Sequence, residues 1–167
     1  VSTGLSAAPL TPEQKLQVEQ QLKNFLPLGS DPQVVKLVRE YNAAPLKELA
    51  GMTQEKWAAL TVLSPEVKAL SRNPLAEYLK TKRTSLLSEL FVNAANGQKV
   101  AFFGKTSSWS HAGKPKHDIP MVGKTWIGEP ELDQSTGKYS VQIAFPVVDG
   151  GKVIGSIVIG LDMGQLK

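Results

Sequence analysis

The sequence predicts an α+β fold, with N-terminal helices followed by an antiparallel sheet of about five strands. Two patterns predict it. Up to residue 83, apolar residues recur at helical spacing between capping residues and prolines. From residue 84 onward, apolar residues alternate with polar ones or form short runs bounded by Gly and Asn. We therefore expect a helical lead-in, residues 1–83, that packs on a sheet-forming domain, residues 84–167, as one compact unit.

Five helices are expected in the lead-in. Each begins where a short polar side chain can accept hydrogen bonds from the free N–H groups of the first turn; four of these starts are followed directly by Pro, and the fifth has Glu55 in its first turn. The first helix is expected to run from Pro12 to about Leu26, and the second to end before Pro45. The expected N-caps are Thr11, Asp31, Thr53, Ser64 and Asn73.

The sheet-forming segment begins with a hairpin. Residues 86–92 and 100–103 are apolar runs of strand length, and Asn96-Gly97 between them is a strong turn signal because both residue types tolerate positive φ. The polar stretch that follows, residues 104–123, is long for a connection in a compact domain. Loops of this length tend to be functional, so we expect this one to form part of a site.

The remaining strands complete the sheet. A short strand is expected at Trp126 and Ile127, followed by a turn at residues 133–137. From Tyr139 to Val148 the sequence alternates with a period of two, as expected for a strand with one buried face and one face toward something more polar. A turn at residues 149–151 leads into the last strand, residues 152–162.

The composition is that of an ordinary globular domain and excludes several classes of function. Apolar residues make up 41% of the chain and charged residues 20%. A net charge of +4 is too mild to indicate a nucleic-acid-binding protein, so no nucleic acid is expected as a partner. The chain has no Cys, which excludes thiol catalysis and disulfides, and no apolar run of about 20 residues that would span a bilayer.

Two long strings of the sequence resemble the Cache (PDC) family of single, PAS-like sensor domains from bacterial extracytoplasmic proteins. They are ELFVNAANGQKVAFFGKTSSW, residues 89–109, and GKTWIGEPELDQSTGKYSVQIAFPVVDGGKVIGSIVIGLDMGQL, residues 123–166. The helical half is similar to the lead-in of such proteins at DPQVVKLVREYNA, residues 31–43, and NPLAEYL, residues 73–79. The resemblance depends on the order and spacing of the elements, and no single motif carries it.

The resemblance implies a sensor that receives a small molecule between the sheet and its long loop, with no cofactor. It also implies a periplasmic or extracellular location, a membrane-bound signalling partner, and a chain that is either a secreted protein or the ectodomain of a receptor. The start at Val1, followed by small residues, fits removal of a signal peptide or trimming of a longer chain. Residues 108–117 depart from the family, whose members carry acidic residues there, and this leaves the ligand open.

The residue types themselves predict a site for a small anion or carboxylate. Lysines outnumber the one acidic residue of the loop, and pockets combine apolar walls with a few placed polar groups. The part of the loop from Lys105 to His117 is expected to act as a lid, with Trp126, Tyr139 and Gln142 as the floor. The predicted ligand-binding residues are Lys105, Ser107, Trp109, His111, His117, Trp126, Tyr139 and Gln142.

Three alternatives to ligand sensing are weighed. A metal-dependent hydrolase would use His111, His117 and Asp118, but their spacing is not diagnostic and no metal is expected. Serine catalysis has no nucleophile elbow or orienting carboxylate, and the glycines match no phosphate-binding motif, so no enzymatic activity is expected. A ligand-free interaction module of Cache fold, acting as a homodimer or docking a partner, is the main alternative.

Overall fold

The computed structural model describes residues 8–133 and 137–166, and it contains the five expected helices. Thr11 and Gln14 form a reciprocal capping box, and Asp31, Thr53 and Asn73 each accept a hydrogen bond from the first turn of the helix that follows. The exception is Ser64, whose hydroxyl accepts from the backbone of the preceding turn and caps no helix. The helices are α1 (Pro12–Phe25), α2 (Pro32–Ala43), α3 (Gln54–Ala59), α4 (Pro65–Ser71) and α5 (Pro74–Lys80).

The sheet has six antiparallel strands within the described residues, where about five were expected. Its order is β2-β1-β6-β5-β3, with β4 also paired to β5. The strand that was not expected is β4. It has three residues, which are too few for an alternation of apolar and polar residues to be visible in the sequence. The predicted fold class, N-terminal helices followed by a PAS-like antiparallel sheet, is confirmed. The strands are β1 (Leu87–Ala94), β2 (Lys99–Phe102), β3 (Trp126–Ile127), β4 (Glu131–Asp133), β5 (Lys138–Asp149) and β6 (Lys152–Asp162).

The two faces of the sheet pack against different elements. Alternate residues of β5, namely Val141, Ile143 and Phe145, are fully buried in one core with α1, α2 and α5. We call this the helix face. On the other face, Phe91 of β1, Phe102 of β2 and Val158 of β6 form a second core with Trp57 of α3. We call that the loop face, because it lies beneath residues 103–125.

The long polar connection contains a helix, where the sequence indicated only a loop. This helix, α6 (Pro115–Met121), packs on β5 and β6. Its start follows ordinary rules, because Pro115 occupies the first helical position. The sequence hides it because the helix is only seven residues long, has no apolar stripe and contains Pro120.

One side chain ties α2 to both hairpins. The Oδ1 atom of Asn42 accepts a hydrogen bond of 3.0 Å from the backbone N–H of Ala95, in the β1–β2 turn. Its Nδ2 atom donates one of 2.8 Å to the carbonyl oxygen of Ile154, at the start of β6. The C-terminal end of α2 is therefore fixed to the sheet by polar contacts in addition to the shared apolar core. The boundary at residue 83 between lead-in and sensor stays a prediction.

The turn expected at residues 133–137 lies in part outside the described residues, since residues 134–136 are not described. Of the helices that the structure describes, none combines the length and apolar character needed to cross a bilayer.

Candidate ligand site beneath α6

A group of polar side chains is buried in the loop face of the sheet, beneath α6. Its members come from β1, β2, β6, the loop and α6, and each is at most 4% exposed. Polar groups enter such an interior only when hydrogen bonds offset the cost of leaving water. We call this group the buried polar cluster. It consists of Asn93, Lys99, His111, His117 and Ser156.

The hydrogen bonds of the cluster form one chain with a defined direction. Lys99 Nζ donates to Asn93 Oδ1 at 2.7 Å, and Asn93 Nδ2 donates to Ser156 Oγ at 2.9 Å. His117 Nε2 lies 3.2 Å from the carbonyl oxygen of Ala95, which only accepts, so this nitrogen carries the proton. Ser156 then donates its hydroxyl hydrogen to His117 Nδ1 at 2.7 Å. His117 is therefore the neutral Nε2–H tautomer.

Lys99 supplies the buried amine at the head of this chain. Its Nζ contacts Asn93 and His111 Nδ1, and it lies 4.5 Å from the centre of the Phe91 ring. None of these partners carries a negative charge. Burial lowers the pKa of Lys99 well below its ordinary value, and the positive charges of Lys116 and Lys114 lower it further. Glu89 opposes this shift, but no carboxylate is among the direct contacts that are described for the buried amine.

A second chain of polar contacts runs beside the cluster and ends at a carboxylate. Lys116 Nζ donates to Gln142 Oε1 at 2.7 Å, and Gln142 Nε2 donates to Glu89 Oε1 at 2.6 Å. Glu89 and Gln142 stand on the two strands that flank β6 and meet above Gly160. A Cβ atom at Gly160 would lie 2.6 Å from Glu89 Cγ, so a larger residue would separate the pair.

Both histidines of the cluster are held in their neutral form. Burial lowers the pKa of His111 to about 2, and the nearby Lys99 contributes to the shift. Burial also lowers the pKa of His117, opposed by its hydrogen bond to Ala95. His111 is further fixed by stacking on Phe91, with ring centres 5.0 Å apart. A negative charge placed here would favour the protonated forms of both rings.

The structure brings five of the eight predicted ligand-binding residues to the loop face. His111 and His117 belong to the cluster itself, and Gln142 belongs to the adjacent chain. Trp109 and Trp126 are half-buried and pack against the apolar core of this face. Trp126 and Gln142 of the predicted floor therefore lie on the loop face, and the predicted lid, residues 105–117, extends into the start of α6; that these residues bind a ligand stays a prediction.

The other three predicted residues, Lys105, Ser107 and Tyr139, are not brought to the cluster. Lys105 lies over the ring of Trp57, 5.3 Å from its centre, and Ser107 is exposed, with its carbonyl bound to α3. Tyr139 is 44% exposed near the start of β5. The alternation of β5 explains this displacement, because residues 139 and 142 differ by an odd number and point to opposite faces.

Three members of the cluster were missed by the sequence analysis. They are Asn93, Lys99 and Ser156. The signal that could have found them is a polar residue inside an otherwise apolar strand. Ser156 stands between Ile154 and Ile157 in the final strand, and all three are buried. A buried polar residue of this kind is informative because it needs a partner.

The side chains of the cluster are not arranged as the ligands of a metal ion. Within residues 8–133 and 137–166, no group of three or more His, Cys, Asp or Glu side chains is placed to hold a metal ion. His117 uses both ring nitrogens in hydrogen bonds, and His111 uses Nδ1 toward Lys99. The hydrolase alternative built on the two histidines and Asp118 therefore gains no support, since Asp118 is exposed and accepts from the backbone of Gly113.

The comparisons with known proteins reach bacterial sensor domains only at low similarity. No protein-family model and no curated protein sequence matches the chain. It aligns with the sensor domain of the V. cholerae histidine kinase DctB at 16% identity and a TM-score of 0.42, over 93% of this chain and 59% of that one. It aligns with the sensory domain of the Campylobacter jejuni chemoreceptor Tlp3 at 14% identity and a TM-score of 0.46, over 91% and 64%.

A third similar structure is the ligand-binding domain of the Pseudomonas aeruginosa PAO1 amino acid chemoreceptor PctC in complex with GABA. The identity is 14% and the TM-score 0.42, over 89% of this chain and 62% of that one. The chain thus spans about three fifths of the length of these solved structures. At such values the likeness is one of general architecture, and the fold class stands on the chain's own helices and strand order.

Proposed function

We propose that this chain is a sensor domain of the Cache type, working in the periplasm or outside the cell, that binds a small anion at the buried polar cluster. A carboxylate is the simplest such ligand. The observation that carries the proposal is Lys99, a buried amine whose contacts are Asn93, His111 and the Phe91 ring, all uncharged in the folded protein. Buried cations are normally paired, because an isolated charge pays a large desolvation cost.

Ligand entry requires a small movement of the segment that covers the cluster, from His111 to the end of α6. The ring of His111 occupies the side of Lys99 where a carboxylate would form a charge-assisted hydrogen bond. His111 precedes Gly113, which has a φ of 84°, and α6 ends before Gly123, which also has a φ of 84°. A glycine with positive φ therefore lies near each end of this segment, and glycine allows the backbone to change direction at low cost. Displacement of the His111 ring would let the ligand neutralise Lys99.

The absence of catalysis is part of this proposal. Ser156 and His117 make a contact of 2.7 Å that resembles a nucleophile and its base. However, Ser156 is fully buried in the central strand β6, and its oxygen already accepts from Asn93. The group that orients His117 is the Ala95 carbonyl, which would stabilise an imidazolium less than a carboxylate does. A substrate would have no access to this oxygen.

The test is a thermal-shift screen of small carboxylates against their uncharged amides. A carboxylate at 100 times its Kd should stabilise the protein by about 2.7 kcal/mol, while the matched amide should not. The screen is repeated on Lys99→Met and on the control Lys124→Met, whose lysine is exposed outside the cluster. Each variant is compared with its own ligand-free melting temperature, so that an altered intrinsic stability does not affect the result.

Loss of the shift in Lys99→Met, with retention in Lys124→Met, supports the proposal. An equal shift in both variants would place the ligand elsewhere and refute the assignment of Lys99.

The main alternative, a ligand-free interaction module that forms a homodimer or docks a membrane-bound partner, is favoured by a different observation. Every buried side-chain nitrogen and oxygen in the described part of the chain has a hydrogen-bond partner, so the cluster is satisfied without a ligand. Light scattering on the wild type and on Trp109→Ala distinguishes the two functions. A dimer that Trp109→Ala dissociates, together with no stabilising anion, would favour the alternative.

A further inference from the structure

A recess lies where the ends of both hairpins meet the segment between α2 and α3. We call it the hairpin groove. Residues 45–52, 94–100 and 152–154 form most of its walls. Its volume is about 560 Å³, within the range of about 300–1,000 Å³ that is typical of small-molecule sites. Lys99 of the buried polar cluster is among the residues that line it, whereas His111, His117 and Gln142 are not, so the groove borders the proposed ligand site at Lys99.

The interior of the groove is suited to an apolar body. Two half-buried rings contribute to its lining, the phenol of Tyr41 and the indole of Trp109. Aromatic rings supply large contact areas at a low cost in conformational entropy. The apolar side chains beside them are Leu46, Leu49, Met52 and Val153.

The charged side chains of the groove have one sign. Lys47 and Lys152 are exposed lining residues, the buried Lys99 also lines the groove, and no Asp or Glu is among the described residues that line it. Neither of the two exposed ammonium groups takes part in an ion pair within the described ranges. The nearby Asp149 forms an ion pair with Arg39 at 2.8 Å and interacts with Lys152 only at longer range. The groove therefore offers two cations to an incoming anion.

The walls of the groove are held in place before any ligand arrives. Asn42 ties the end of α2 to both hairpins through its two hydrogen bonds. The backbone of Trp109 is held on both sides. Its carbonyl oxygen accepts a hydrogen bond of 3.0 Å from the backbone N–H of Lys99, and its backbone N–H donates one of 3.2 Å to Gln54 Oε1. A preformed site loses less entropy when it binds.

We propose that the hairpin groove binds an organic anion with an aromatic or aliphatic body, which packs against Tyr41 and Trp109 while its carboxylate meets Lys47 and Lys152. This site borders the one beneath α6 at Lys99 but has its own exposed cations, Lys47 and Lys152. The single sign of the charges selects an anion, and the two rings select a partly apolar molecule.

The experiment is an NMR titration of the full chain with phenylacetate and with its uncharged analogue phenylacetamide. The chain has three Trp residues and therefore three indole N–H signals, and Trp109→Phe assigns the one in the groove. Phenylacetate should shift the Trp109 signal, and phenylacetamide should shift it less at the same concentration. Equal responses to both compounds, or no response of Trp109, would overturn the proposal.

Matched variants locate the charge that is recognised. Lys47→Gln with Lys152→Gln should weaken phenylacetate binding about fivefold, as expected for the loss of two partly exposed ion pairs of about 0.5 kcal/mol each. The control, Lys15→Gln with Lys23→Gln, removes two exposed lysines of α1 and should leave the affinity unchanged. If Lys99→Met abolishes the binding and the groove variant does not, the anion belongs to the cluster and the groove proposal fails.

Discussion

Acid should destabilise this domain through His111, because the folded protein holds the ring neutral. Its pKa falls from about 6.5 in the unfolded chain to about 2 in the folded one. Below pH 6.5 the unfolded chain therefore binds a proton that the folded protein does not, and folding stability falls as the pH falls. The loss is about 1.4 kcal/mol per pH unit, or about 2 kcal/mol between pH 8 and pH 5.

The variant His111→Gln isolates this contribution. Gln can still offer an oxygen to Lys99 but does not titrate, whereas Lys99 and His117 titrate in both proteins. Urea unfolding at pH 5, 6, 7 and 8 gives the free energy of unfolding of each protein. The wild type should lose about 2 kcal/mol more than His111→Gln over this range. Equal losses in the two proteins would refute the neutral, buried state of His111.

Three further substitutions test the packing and capping described above, each by its free energy of unfolding. Gly160→Ala should cost about 1–3 kcal/mol, because its Cβ would lie 2.6 Å from Glu89 Cγ and force that side chain away from Gln142. Asp31→Ala should cost about 1–2 kcal/mol, since it removes the cap of α2; a loss below about 0.3 kcal/mol would contradict this role. Arg39→Ala should change the free energy of unfolding less than either of these substitutions, because its ion pair with Asp149 is largely exposed.

The sequence predicted the fold well where a local rule determines the structure. Thr11 and Asp31 cap helices because their side chains reach the nearest free N–H groups, which depends only on neighbouring residues. Gly97 adopts a φ of 88°, as the Asn-Gly turn requires. In β5 the period of two also separates the helix face from the loop face. These features need no knowledge of distant contacts.

The site was predicted less completely because its members meet only through the fold. Asn93, Lys99 and Ser156 lie on three strands and come together by pairing across β1, so no spacing in the sequence marks them. Tyr139 was grouped with Gln142 by residue type, although alternation already places them on opposite faces. A stricter use of strand parity would have separated these two residues from the sequence alone.

The side-chain amide of Asn42 couples α2 to both hairpins at this end of the domain through its two hydrogen bonds. A shift of the β1–β2 turn, which also supplies the Ala95 carbonyl to His117, must pull on the last turn of α2 or break a hydrogen bond. Any strain that begins at His117 therefore has a short covalent and hydrogen-bonded route to the helical layer on the opposite side of the sheet. In a receptor, such a route would let a change beneath α6 alter the helices without unfolding the strands between them.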